Sequence, residues 1–403
     1  MSRSSLLWTI FILTASQGLI GQFTVHGVPL FLRAEGHAAS VISLVFIAGI
    51  PYTLRFLWAP LIDRYGGGSR GPYGTWIVAG QGVAFVALLG LVFADPAGSV
   101  ALIVAALFVG MIAVGTQQAA TSAMMIRHLA GPYHARGASM QAAGSTSAGL
   151  ILGLLVLYLL ADLGWQTVTL SIAALAAGLL AFVLLAVPLD RGHRTEPARI
   201  SVRDYIAIFK VAEARKLFIL TLITSVGMVI PYSLKSILLI DAGFSISQGG
   251  LIGIVLGNLV GLIAALAVRP LVDRFGGWRI LIAIGLVAGA TALAAAFLYW
   301  RGEHIDRVAI ALVLITNGLV FASYTANRAI LMPLCDQGRL ATDFTSFASF
   351  EAFAILVVAA LGSVALDNIG IVPLLVAGAG LSAAGAALIA ASLARRPREL
   401  QTS

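Results

Sequence analysis

PYTLRFLWAPLIDR, residues 51–64, is the stretch on which the reading of this chain turns. It lies in an apolar run long enough to cross a bilayer, yet Arg55 stands inside it. A guanidinium in hydrocarbon is costly and is kept where it has work to do. The stretch closes on Asp63 and Arg64, and glycines follow at once. Charged residues at a helix end before glycine suit a tight turn at a membrane surface.

The rest of the chain agrees with a bilayer setting. Of 403 residues, 60% are hydrophobic and 10% charged, and the mean hydropathy is +0.99. A soluble protein carries about a quarter charged residues. Cys335 is the sole cysteine, so there is no disulfide framework, and the six histidines lack zinc-site spacing. No cofactor or metal is expected, and GxxxxGK[ST] is absent, so this chain has no nucleotide drive of its own. No nucleophile–base pair or soluble domain appears, and no enzyme activity is assigned. The apolar N-terminal run outlasts a signal peptide and reads as an uncleaved first helix.

A spanning helix needs about 20 mostly apolar residues. Twelve such segments are expected, near 6–32, 38–61, 75–95, 99–126, 137–161, 165–188, 214–240, 247–272, 279–300, 307–333, 344–366 and 370–393. With the N-terminus in the cytoplasm, nineteen of the 25 lysines and arginines fall on cytoplasmic segments and three on the opposite side, Arg33, Arg301 and Arg307. The remaining three, Arg55, Lys235 and Arg328, lie inside spans. This asymmetry places both termini in the cytoplasm of a multi-pass protein. It also explains the net charge of +8 without a nucleic-acid partner.

PLIDRYGG at 60–67 recurs as PLVDRFGG at 270–277. Each copy ends a span at the same position of its half. The expected division is therefore an N-terminal six-helix half over 1–190, a cytoplasmic linker over 191–213 and a C-terminal half over 214–403. Two parallel six-helix halves are the arrangement of major facilitator transporters. The D-R-x-G element also resembles that superfamily's loop signature, which assigns gating to Asp63, Arg64, Asp273 and Arg274. The fold class is thus an all-α membrane protein with the major facilitator fold.

Tyr52, Thr53, Leu54, Arg55, Phe56, Leu57, Trp58, Ala59, Pro60, Leu61, Asp63 and Arg64 together resemble the narrower signature of AmpG-like permeases. QGL at 17–19, VPLFLRAEG at 28–36 and WIVAGQ at 76–81 add to it. That group includes muropeptide permeases, acetyl-CoA transporters and RhtX/FptX-type siderophore permeases. The fourth span departs from the group's A-T-Q-D-I-A-x-D pattern: Gln118 and Ser122 stand at the two acidic positions. The departure argues against a standard muropeptide permease. In size the chain resembles the RhtX/FptX-type permeases best.

The charges within the spans supply the candidate site. Arg55 lies eight residues before Asp63, about 12 Å deeper at 1.5 Å per residue, close to the midplane of a ~30 Å core. It reads either as a cavity-lining cation or as a structural brace of the cytoplasmic gate. Lys235 of the seventh span occupies a helix position similar to His26 of the first, and His26 suits proton handling. Arg328 and Glu351, on adjacent spans, are expected to pair. Either the pair is static, or Glu351 takes a proton and frees Arg328 for substrate. Three buried cations against one anion favour an anionic substrate. Arg55, Lys235, Arg328, His26, Gln117 and Tyr324 are the substrate-binding candidates, and Glu351 and His26 the proton-coupling ones. The amides Gln17, Gln22, Gln117, Gln141, Asn258, Asn317 and Asn327 can bind a many-oxygen ligand, but any single one is read first as an interhelical hydrogen bond.

The expected function is proton-coupled import of a bulky anionic small molecule, foremost a ferric siderophore, across a bacterial inner membrane. The expected mechanism is rocking of the two halves about a central site, with the chain acting as a monomer in the lipid bilayer. Muropeptide, acyl-CoA or drug transport are the alternatives, and a membrane sensor or enzyme is the reading from another class.

Overall fold

The computed structural model describes residues 3–38, 41–42, 44–67, 70–131, 133–186 and 202–394. Residues 191–201 of the expected linker, 191–213, and the basic C-terminal residues Arg395, Arg396 and Arg398 fall outside them. The regular structure among the described residues is all helical, with no strand. Ten helices among them are long and apolar enough to cross a membrane. The chain forms two compact units, Met1–Lys210 with Met332–Phe350, and Val211–Leu331 with Glu351–Ser403. The sequence division put 332–350 in the second half; the structure packs this stretch with the first.

In the first unit, α1 (Arg3–Gln22) runs into a π-helical turn, Phe23–Gly27, and α2 (Val28–Ala34). The expected second span is not one continuous helix. It comprises a 3-10 turn (Leu44–Gly49), α3 (Ile50–Leu54), a second 3-10 turn (Arg55–Leu57) and α4 (Ala59–Arg64). Pro51 and Pro60 sit at the starts of α3 and α4, where a missing N–H is tolerated and an upstream helix cannot continue. Then come α5 (Gly71–Val92), α6 (Val100–His128) and α7 (Tyr133–Ala186). The last is two helices joined at Gly164, whose φ of 71° and ψ of 175° lie outside the helical region and suit only glycine. Two of the sequence-expected spans therefore share α7.

The first unit packs α1 on α7 and α5 on both α6 and α7. Small residues bring these helices close: a Cβ on Gly144 would lie 2.5 Å from the Phe11 carbonyl oxygen, and one on Gly18 2.6 Å from Ala148 Cβ. Such approaches are how helices associate in lipid. Its core gathers Phe23, Phe31 and Trp165, and the Trp165 indole donates to the Leu91 carbonyl at 2.9 Å, which meets the need of a buried N–H.

The second unit has α8 (Ala212–Ser233), α9 (Lys235–Asp241), α10 (Ile246–Gly250), a π-helical stretch (Leu251–Leu256) and α11 (Gly257–Phe275). It continues with α12 (Gly277–Arg301), α13 (Ile305–Leu331), α14 (Leu340–Ile369, whose start belongs to the first unit) and α15 (Ile371–Ala394). Here α12 packs on α13 and α15, and α8 on α13 and α15, a pattern like that of the first unit. Ser382 ties α15 to α8, accepting from the Gly227 amide at 3.0 Å and donating to the Thr224 carbonyl at 2.8 Å.

The two copies of the repeat use their glycines differently. Gly276 has φ 81° between α11 and α12. In the first copy Gly66 serves a close approach, since a Cβ there would fall 1.7 Å from the Pro72 carbonyl oxygen.

Candidate functional site

At the end of α4, Asp63 is buried and its carboxylate closes the start of α14. It accepts from the Ala341 amide at 3.0 Å, the Thr342 amide at 2.7 Å and the Thr342 hydroxyl at 2.6 Å. Tyr73 of α5 adds its hydroxyl at 3.1 Å. The first N–H groups of a helix lack intrahelical partners and carry partial positive charge, so a carboxylate is well placed there. Burial pushes the Asp63 carboxyl above its ordinary value while the four donors pull it down.

Around this latch lies a second set of contacts within the first unit. Arg339 reaches Asp204 of the segment Val202–Lys210 at 2.9 Å, and Asp343 lies 3.7 Å from its Nε. Phe209 of that segment stacks on Phe347 and meets Phe350 edge-on. Tyr205 donates to the Leu57 carbonyl at 3.0 Å, and Phe56 packs on both Tyr205 and Phe350. The linker segment is thereby clasped to the broken second span and to the start of α14.

In the second repeat copy the carboxylate lies near its own helix. Asp273 is partly exposed and lies 3.7 Å from Arg269 of its own helix. Arg64 and Arg274 each lie over the following ring, Tyr65 and Phe275 respectively, at 5.1 Å.

Arg55 is 4% exposed. Its guanidinium donates to the Tyr52 carbonyl and lies 4.2 Å from the Tyr52 ring centroid. A Cβ on Gly115 would sit 3.2 Å from Arg55 Cβ, and Trp58 donates to Thr116 at 2.9 Å. The broken span is thus seated against the α6 stretch that departs from the AmpG-like pattern. There the amides bond one another: Gln81 accepts from Ser16 and Gln117, both at 2.8 Å, Gln17 donates to Thr121 at 3.2 Å, and Gln141 to Ser122 at 3.0 Å. These are buried interhelical bonds, and one N–H of the Gln117 amide is donated inside the protein. Gln118 Oε1 is buried with no hydrogen-bond partner.

In the second unit, α8 contains Pro231 and ends at Ser233, and Lys235 begins α9. The half-buried ammonium lies 4.6 Å from the Tyr232 ring centroid. His26 falls in the π-helical turn after α1; its side chain lies outside the described residues. Both candidates therefore mark interruptions in the opening helix of their half, and interrupted helices are where transporters of this architecture place their sites.

Arg328 and Glu351 form an ion pair at 2.5 Å, with side chains 5% and 18% exposed. Asn327 donates to the other carboxylate oxygen, and the Arg328 guanidinium lies 4.9 Å from the Tyr324 ring. These four predicted or near-predicted residues come together on α13 and α14. The sequence reading missed Tyr73, Thr342, Asp204 and Arg339. Thr342 offered no signal, because its partner lies 279 positions away. Asp204 and Arg339 could have been singled out as opposite charges flanking spans.

The Major Facilitator Superfamily pattern matches residues 4–342. The anhydromuropeptide permease of Escherichia coli K12 is 27% identical over 360 residues, covering 87% of this chain and 71% of that protein. The putative transporter AmpG 3 of Rickettsia prowazekii is 22% identical over 393 residues, covering 92% and 91%. In fold, the human organic anion transporter MFSD10 (TETRAN) superposes with a TM-score of 0.79 at 15% identity, covering 96% of this chain and 100% of that one. A bacterial homologue of the iron transporter ferroportin, in an outward-facing state, gives 0.71 at 16% identity, covering 97% and 99%. With the repeated loop element, the helical units and a match across most of its length, this chain belongs to the Major Facilitator Superfamily of membrane transporters.

Proposed function

We propose that this chain is a proton-coupled secondary transporter of a bulky anionic molecule of the anhydromuropeptide class in a bacterial inner membrane. The observation that carries this reading is the buried Arg328–Glu351 pair, flanked by Asn327 and Tyr324. A buried cation held by a carboxylate can be released by one proton, and the freed guanidinium then binds a substrate carboxylate with a matching fork geometry. Lys235 contributes a second, half-buried cation in the same unit. Muropeptides carry peptide carboxylates, and the relative from Escherichia coli bears the name of that substrate. This moves the reading away from the ferric siderophore expected from sequence alone.

A different anion is the second reading, favoured by Gln118 and Ser122. Neither can carry a proton as the acids of the AmpG-like pattern could, and Ser122 is bonded to Gln141. Coupling would then rest on Glu351 with no contribution from α6.

The test is uptake of labelled anhydromuropeptide by cells lacking their own permease, with and without this gene, with a protonophore control and a parallel ferric-siderophore arm. Gene-dependent muropeptide uptake that collapses with the protonophore supports the proposal. Siderophore uptake with no muropeptide uptake replaces it by the second reading.

A further inference from the structure

A groove of about 580 Å³ lies between the end of α12 and the start of α13, lined by Ala290, Ala294, Leu298, Ala311 and Ile315. Ligand sites run roughly 300–1,000 Å³, so its size is that of a site. Ala290, Ala294, Ala311 and Ile315 are exposed. Alanine at these positions removes side-chain bulk and leaves a trough along the helix pair.

Its mouth is basic. His304 and Arg307 line it, and neither side chain forms a hydrogen bond or ion pair with another described residue. Arg301 nearby is paired with Glu303 at 2.7 Å. The α12–α13 connection is tight, with Gly302 at φ 69° and His304 at φ 49°. Left-handed backbone at a non-glycine residue is uncommon, though histidine tolerates it better than most. It turns the chain so that His304 stands at the groove.

The depth matches one leaflet. Trp300 is 73% exposed and Phe297 beside it is also exposed. Exposed aromatics of this kind mark a membrane–water interface. From Leu298 to Ala290 the groove descends about 12 Å at 1.5 Å per residue, against ~15 Å for half a ~30 Å core.

We propose that this groove binds a phospholipid with an anionic headgroup, one acyl chain lying along the alanines and the phosphate on Arg307 and His304. An apolar trough one leaflet deep, with an arginine and a histidine lining its mouth at the interface, fits that chemistry. The site lies wholly within the second unit and does not depend on which substrate is carried.

The test is native mass spectrometry of the full chain, delipidated in detergent and titrated with phosphatidylglycerol, phosphatidylethanolamine or inorganic phosphate. Phosphatidylglycerol is expected to be retained about tenfold better than phosphatidylethanolamine, equivalent to ~1.4 kcal/mol. The exposed double substitution Arg307→Gln with His304→Gln should bring the two lipids level. Ala294→Phe, which fills the trough and leaves both charges in place, should remove retention of either lipid. Ala311→Leu is the milder filling variant and should lower it. Equal binding of the two lipids by the unmodified chain overturns the proposal. So does phosphatidylglycerol retention unchanged in the charge and filling variants, or inorganic phosphate binding as tightly as the lipid.

Discussion

The Asp63 carboxylate accepts the amide and the hydroxyl of Thr342 at 2.7 and 2.6 Å, closing the start of α14 from a residue 279 positions earlier in the chain. The contact is made by the first copy of the repeat. Asp273, its counterpart in the second copy, turns to Arg269 on its own helix.

Asp63→Asn keeps the shape, removes the charge and turns one accepting oxygen into an NH2 that faces two donors. Hydrogen bonds to a charged partner contribute about 1.5–3 kcal/mol, and neutral ones about 1, so the start of α14 should loosen by about 1–2 kcal/mol. Thr345→Cys, a buried reporter in that helix, should then react faster with a membrane-impermeant maleimide added from the cytoplasmic side, in a chain with Cys335→Ser. An unchanged labelling rate would mean the latch bears no load.

Removing Arg328 leaves Glu351 partly buried without its cation. Breaking a buried pair from one side costs roughly 3–5 kcal/mol, discounted here because Glu351 retains some exposure. The thermal midpoint of Arg328→Gln in detergent should fall well below that of Glu351→Gln. Combining the two should recover part of the loss, as coupled sites do. Strict additivity would show that the two residues are not energetically joined.

Gln81 accepts from both Ser16 and Gln117. Gln81→Leu leaves two buried donors without their acceptor, at about 1–3 kcal/mol each. The thermal midpoint should drop by several degrees, and adding Gln117→Leu on top should cost little more. A neutral Gln81→Leu would show that the network contributes no stability.

Phe209→Ala should free the segment Val202–Lys210 from Phe347 and Phe350. Limited trypsin treatment should then cut after Lys210 sooner than in the parent. Arg339→Gln should have a smaller effect, since the Arg339 side chain is 31% exposed and such pairs contribute at most about 1 kcal/mol. If Arg339→Gln opens the segment more than Phe209→Ala, the clasp is ionic and not aromatic.

Much of the architecture was legible because hydropathy and the repeat act over whole segments. Lipid forces backbone hydrogen bonding into helices, so span positions follow from composition alone. The second span shows where that stops. Residues 38–61 read as one helix by hydropathy, but Pro51, Pro60 and the Arg55 guanidinium on the Tyr52 carbonyl break it into short pieces. The pairing of Arg328 with Glu351 was legible because two opposite charges in hydrocarbon have few other options. The partners of Asp63 and Gln117 were not, since which helix faces which is set by three-dimensional packing. PLIDRYGG and PLVDRFGG look alike as strings, and only their surroundings make the first a latch.

The most direct test of a transporter driven through Glu351 is uptake of labelled anhydromuropeptide into proteoliposomes with an imposed proton gradient, in the parent chain and in Glu351→Gln. The account predicts gradient-driven accumulation by the parent, and a variant that still exchanges labelled for unlabelled substrate but no longer accumulates it. Equal gradient-driven accumulation by both chains would contradict it.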